Sequence, residues 1–168
     1  ELYSSQLAEM AKTWEFPDPL PGDRLTPIPE YVPTREGVEE ARTNKKYPLQ
    51  VIGHHYKSRT HSTYGNLSKN REAHPQKAWI NIQDARKRGI ANGDQIRIFN
   101  DRGTIQTQAF VSARIAPGVV SVPQGAWVEW DENGVDHGGA VNVLTSQHPT
   151  PLSKGNGQHT NLAQVEKV

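Results

Sequence analysis

Residues 79–123 read WINIQDARKRGIANGDQIRIFNDRGTIQTQAFVSARIAPGVVSVP, and the order of signals in this run decides the fold. Asn81 is placed to cap a helix, with Asp84 three positions on, where a carboxylate can reach back toward the cap and suits the positive helix end. The helix is expected over Gln83–Arg88 and ends at Gly89, a residue suited to the left-handed position after a helix. Ile90 returns to the core, and Asn92-Gly93-Asp94 supplies residues that tolerate positive φ. Gln95–Asn100 sets Ile96 and Ile98 against Gln95 and Arg97, the period of a half-buried strand. Asp101-Arg102-Gly103 turns the chain, and Thr104–Ser112 returns with Ile105 and Thr107 on one side. Pro117-Gly118 turns it again before the apolar run Val119–Pro123. Short strands divided by turn signals, with one small helix among them, predict a compact, mainly β barrel rather than an open parallel sheet.

The 168 residues suffice for one domain with a core plus an extension. Hydrophobic residues make up only 34%, and glycine and proline number 14 and 12, so a loop-rich, partly extended chain is expected. A net charge of +1 lacks the electrostatic footprint of a general nucleic-acid binder. The absence of cysteine excludes disulfides, thiolate metal sites and an iron–sulfur cluster within this chain. No apolar run approaches the roughly 20 residues a spanning helix needs, so direct membrane insertion is not expected. The chain starts at Glu1 with no methionine or signal segment, and it reads as a piece of something longer.

Upstream of the barrel, residues 2–14 carry a short helical stripe of Leu7, Met10, Ala11 and Trp14. From Phe16 to Pro48 the chain holds seven of its twelve prolines, which fix φ and discourage helix before them. Residues 1–47 therefore read as an extended, proline-rich connecting arm, with one brief helix over Arg35–Arg42 capped by Thr34. Apolar residues at Trp14, Phe16, Leu20, Leu25, Ile28, Tyr31 and Val32 favour an arm packed on a larger body over a disordered linker. Residues 48–168 form the barrel domain, from a first strand Pro48–Gly53 to a last strand Leu162–Val168 that can close it.

The donor-rich loop His54–Thr63 follows the first strand and offers three imidazoles, one ammonium and one guanidinium. Such a loop suits an anionic ligand: Arg59 can bind phosphate bidentately, Lys57 adds a point charge, and the Ser58, Thr60 and Ser62 hydroxyls can donate. The bland alternative is an ordinary polar loop on a solvated face. A zinc site is disfavoured because the histidine spacing matches no helical pair and no acidic residue falls between Gly53 and Gly65. A nucleophilic triad fails too: Ser62 and His61 are sequence neighbours, and there is no G-x-S-x-G elbow, G-x-G-x-x-G or phosphate-loop lysine motif. Trp127 and Trp130 read as core or lid residues, with ring stacking on a ligand the minority reading. Asn142 lies in the apolar run Ala140–Leu144, where a bare amide is costly unless paired; a buried structural bond and base-edge recognition both remain open.

Taken in order, PLQVIG-HH-x₃-R-x-HS, then INIQDARKRGIANGDQIRIFNDRGTI, APGVVSVPQGAW, NVLT and the terminal KGN-x₂-H-x-NL strongly resemble the carboxy-terminal, molybdopterin-dinucleotide-binding domain of the dimethyl sulfoxide reductase family of molybdenum oxidoreductases. Within it the pattern is most similar to catalytic A subunits of the bacterial membrane-associated enzymes and their selenate-reducing paralogues. The resemblance covers essentially the whole chain, arm included, and its specificity lies in the order of the motifs. It implies a double-psi β-barrel that helps hold molybdenum-bis(molybdopterin guanine dinucleotide) jointly with other domains, for reduction of a sulfoxide, N-oxide or selenate-type acceptor in anaerobic respiration. Carried over by position, it assigns the cofactor to Gly53, His54, His55, Ser58, Arg59, His61 and Ser62 on the first loop, with His54 and His55 competing for one role. It further assigns Gln124 and Gly125, and places Asn142, Gln158, His159, Thr160 and Asn161 at the far end of a dinucleotide. The metal's protein ligand would come from elsewhere, so no catalytic residue is expected here. The implied partners are the remaining domains of the catalytic subunit, an iron–sulfur electron-transfer subunit and a membrane anchor, at the periplasmic face of the inner membrane. Two rival classes stand beside this reading: a stand-alone barrel module for a protein partner or anionic ligand, and a small hydrolase using the histidine-rich loop.

Overall fold

The computed structural model describes residues 2–13 and 23–168. Trp14, Phe16, Pro17, Pro19, Leu20 and Pro21 lie outside the described residues. Seven strands are ordered β2-β5-β1-β7-β3-β4-β6, and a β2–β4 pairing closes the first six into a barrel. They are β1 (Leu49–His54), β2 (Lys77–Asn81), β3 (Gln95–Asn100), β4 (Gly103–Ser112), β5 (Val119–Pro123), the two-residue β6 (Val135–Asp136) and β7 (Asn161–Lys167). The sheet is mixed, with β1–β5 and β2–β4 parallel and the other barrel pairs antiparallel. This is the double-psi barrel class expected above; closure removes the unpaired edges that six short strands would otherwise expose.

The alternation read in the sequence fills the interior. Ile96, Ile98 and Ile105 are completely buried, as are Val51, Ile80 and Val120 from the facing strands. Burial of each such side chain is worth about 1.5–3 kcal/mol, so this one cluster supplies most of the driving force. Helix α4 (Ile82–Lys87) crosses one end, and Asn81 caps it by accepting from Gln83 N at 2.8 Å. Gly89 follows at φ +65, as its position after the helix requires. Asp84 does not turn back to the cap. Its carboxylate is 5% exposed and accepts from Gly118 N at 2.6 Å, because a buried carboxylate takes the nearest unpaired amide, here that of the turn before β5.

Helix α1 (Ser5–Thr13) falls where the stripe of residues 2–14 predicts, yet none of its residues is buried. Helix α2 (Val38–Thr43) starts three residues later than expected, with Gly37 rather than Thr34 as its cap. The cause is Glu36, at φ +50. Its carboxylate meets Arg102 with two 2.7 Å contacts and accepts from Leu162 N at 2.8 Å, which pins this turn to the barrel before a helix can begin. Ala41 and Tyr47 then pack with Leu162 in a second small cluster. The chain around Arg71, expected to be a plain polar connection, contains helix α3 (Ser68–Ala73), which buries no residue. Trp127 and Trp130 are 51% and 58% exposed and join no core cluster; the indole of Trp127 donates to Ser62 O at 2.9 Å.

Strand directions place the loops. With β1, β3 and β5 running one way and β2, β4 and β7 the other, one end of the barrel collects the exits of β1 and β5 and the entries to β2, β4 and β7. The segments 54–76, 124–160 and 100–103 all meet there.

Candidate anion-binding end of the barrel

Gly53 is the centre of this end. An added Cβ would lie 2.9 Å from Gln124 Cγ and 3.3 Å from the Gln158 amide nitrogen, so the bare backbone lets both glutamines close in. Gly53 O accepts from Gln124 Nε2 at 3.0 Å. Gly53 N donates to His159 Nδ1 at 3.3 Å. An Nδ1 that accepts leaves the His159 proton on Nε2, so this exposed ring presents a donor outward. Gln124 O in turn accepts from Arg59 Nε at 2.9 Å. A continuous chain of hydrogen bonds thus runs His159–Gly53–Gln124–Arg59.

Arg59 is half-buried, and burial pulls its guanidinium pKa below the usual value. Its protein partners are all neutral: Gln124 O, Gln76 Oε1 at 2.7 Å from Nη2, and the Tyr56 ring 4.7 Å from Cζ. No carboxylate pairs with it among the described residues. A desolvated guanidinium with neutral partners keeps its charge and its remaining N–H groups for an anion. Arg59 and Ser58 line a cavity of about 360 Å³ that also takes in Tyr56 and Gln76. Gln158, His159 and Thr160 line a second, of about 260 Å³, walled on its far side by Arg35 and Asp23 of the arm.

The two adjacent histidines separate cleanly. The ring of His54 bonds Ser121 Oγ at 2.7 Å and sits edge-on to Trp79 on the barrel wall. Burial, with the nearby Arg59 charge, lowers its pKa and keeps it neutral. His55 is exposed and stands edge-on to His61 with ring centroids 5.2 Å apart, beside exposed Ser62. Gly125 lets the loop carrying His61 and Ser62 lie directly against the exit of β5.

Two of the far-end residues differ from their sequence reading. Asn161 is fully buried; Nδ2 donates to Gln158 O at 2.9 Å and Gly157 O at 3.3 Å, and Oδ1 accepts from Ser146 N at 3.0 Å. It shapes the 157–160 turn from below. Asn142 is exposed, because the run Val141–Leu144 forms a 3-10 turn rather than a strand and buries only Val141 and Leu144. The buried amide expected at 142 is therefore absent, although the turn lies at the same barrel end, packed over Gly103 and Asn100. Sequence reasoning missed Gln76 and Tyr56, which hold Arg59, and Asp136, whose buried carboxylate organises the loop after β6. A lone glutamine or tyrosine in a polar connection carries no periodic signal that could have marked it.

The Arg59 guanidinium, the His159 ring and the Gln158 amide are thus gathered at one end of a closed barrel. The chain belongs to the Molydopterin dinucleotide binding domain family, whose pattern matches residues 49–162. It is 54% identical over its whole length to the dimethyl sulfoxide reductase DmsA of Escherichia coli (strain K12), covering 20% of that protein. It is 49% identical to the Haemophilus influenzae DmsA, again over the whole chain and 20% of the relative. A dimethyl sulfoxide/trimethylamine N-oxide reductase of Cereibacter sphaeroides is 42% identical over 73% of this chain and 16% of its own length. The chain thus spans about a fifth of the length of these curated relatives. The acetylene hydratase of Pelobacter acetylenicus shares the fold, with a TM-score of 0.76 and 19% identity over 99% of this chain and 23% of its own.

Proposed function

We propose that this chain is the part of a molybdenum oxidoreductase catalytic subunit that clamps bis(molybdopterin guanine dinucleotide), in an enzyme that reduces a sulfoxide or N-oxide acceptor. The relatives' names, sulfoxide and N-oxide reductases, support that acceptor class over selenate. The observation that carries the reading is Arg59: a partly desolvated cation with only neutral partners, tied through Gln124 to a glycine that lets Gln124 and Gln158 pack close. When bound, the cofactor supplies the redox chemistry, and the protein's task is to hold and orient it. Arg59 would take a pyrophosphate oxygen pair, the Nε2–H of His159 a second acceptor, and Gln158 the polar edge beyond. His55, His61 and Ser62 would border the pterin from the exposed loop, with His54 kept as part of the wall and Gln124 and Gly125 fixing the loop. Asn142 faces outward from the same end and would meet the cofactor only where another domain brings it close. The rest of the subunit would complete the enclosure, and an iron–sulfur subunit and a membrane anchor on the periplasmic face would pass electrons to it.

The test is Arg59→Ala in the complete enzyme, read as molybdenum and pterin per subunit. Removing the cationic partner of a shielded pyrophosphate weakens binding by about 2–5 kcal/mol, so content is expected to fall at least tenfold at limiting cofactor. Full occupancy with unchanged turnover removes Arg59 from the site.

A further inference from the structure

We infer that Gln76 is the positioning residue that aims the Arg59 guanidinium at its anionic ligand without neutralising it, an inference that rests on the role just proposed for Arg59. Gln76 stands in the polar segment before β2, and its side chain has no open donor. Nε2 donates to Pro123 O at 2.8 Å and to Gly139 O at 3.0 Å, while Oε1 accepts from Arg59 Nη2 at 2.7 Å. Its own carbonyl accepts from Thr107 Oγ1 at 2.9 Å. The amide cannot be turned over: that would set Oε1 against two carbonyls and N–H against the guanidinium. The orientation of the acceptor toward Arg59 is therefore fixed by two separate parts of the chain, the exit of β5 and the loop after β6, while the middle of β4 ties down the Gln76 backbone.

The chemistry explains why an amide stands here. A carboxylate at this point would hold Arg59 as firmly but would cancel its charge and compete with a phosphate. It would also face two carbonyl oxygens with no proton to offer. A neutral acceptor fixes one N–H of the fork, the Gln124 carbonyl fixes Nε, and the Tyr56 ring covers one face. Tyr56 is tied into the same corner, since its hydroxyl donates to Pro75 O at 3.0 Å. The rest of the fork is left preorganised, with full charge, at the wall of the 360 Å³ cavity.

A double-mutant cycle in the complete enzyme tests this, reading molybdenum and pterin per subunit, the rate of cofactor release, and the unfolding temperature of each variant. Arg59→Ala is expected to lower content about tenfold or more, and Gln76→Leu severalfold. The double variant should lose no more than Arg59→Ala alone, because a residue that acts only through Arg59 has nothing left to position. Gln76→Glu should fall to the level of Arg59→Ala. Losses that multiply in the double variant, or a Gln76→Leu subunit too unstable to load, would assign Gln76 to the scaffold and overturn the inference. Unchanged content in Gln76→Leu, or Gln76→Glu loading as well as Gln76→Leu, overturns it while leaving Arg59 in place. Unchanged content in Arg59→Ala removes the Arg59 reading and this one with it.

Discussion

Gly125→Ala is expected to dislodge the 54–62 loop from the barrel, lowering stability by about 3 kcal/mol or more and emptying the site in the complete subunit. Two independent terms add here. Gly125 has φ +79, a conformation that costs an L-residue about 1–2 kcal/mol. An added Cβ would also lie 1.7 Å from His61 O and 2.1 Å from its carbonyl carbon. Atoms cannot coexist at that distance, and the obstacle is backbone, so no rotamer change relieves it. The His61–Ser62 segment must move outward, taking with it the Trp127 bond to Ser62 O and the alignment of Arg59 behind it. Gly134→Ala is the matched control: φ there is +74, yet nothing lies within 4 Å of the added atom. It isolates the backbone penalty. Chemical unfolding of the two variants, with cofactor content measured beside it, checks the separation. Equal stabilities and equal content would show that the loop adapts freely and is not seated by this contact.

How much of this was visible in the sequence depends on whether an interaction is periodic. Ile96 and Ile98 announce their strand because every second residue meets the same core, and Asn81 with Gly89 brackets a helix with local hydrogen bonds. The barrel therefore followed from the run 79–123. Helix α3 was invisible because SKNREA has no apolar face to betray it. The start of α2 was misplaced because Glu36 answers to Arg102, 66 residues away, rather than to its neighbours. At Asn142 only the buried-bond alternative fell away, for a related reason: VNVL is apolar as a string, but the 3-10 turn it forms buries only Val141 and Leu144. At the site, residue types in one loop announced cationic chemistry, whereas the hydrogen-bond acceptors that hold Arg59 come from positions 17 and 65 residues distant and leave no local trace. Long-range hydrogen bonds to single side chains are where pattern reading ends.

Asp136 makes the same point with a large expected effect. It is completely buried at the short β6 strand, with no cation paired to it among the described residues. Three backbone amides satisfy it instead: Oδ1 accepts from Glu129 N at 2.7 Å and Gly138 N at 2.8 Å, and Oδ2 accepts from Ala140 N at 2.7 Å. The carboxylate is thus the internal template on which residues 129–140 fold. Asp136→Ala strands these donors away from water, and about 3–5 kcal/mol of stability is expected to go with it. Asp136→Asn keeps the shape but must turn an NH2 toward one of the amides, so about 2–3 kcal/mol is expected there. Function should follow through one contact. Gly139 O, two residues before the 3-10 turn, accepts from Gln76 Nε2, and Gln76 in turn holds Arg59. Loosening the loop should therefore raise the rate of cofactor release from the complete enzyme before the barrel itself unfolds, with Asp136→Asn the variant stable enough to show it. Denaturant titration and a release assay on the same preparations separate the two effects. An Asp136→Asn enzyme that unfolds early yet keeps its cofactor as long as the wild type would cut this loop out of the chain of support behind Arg59.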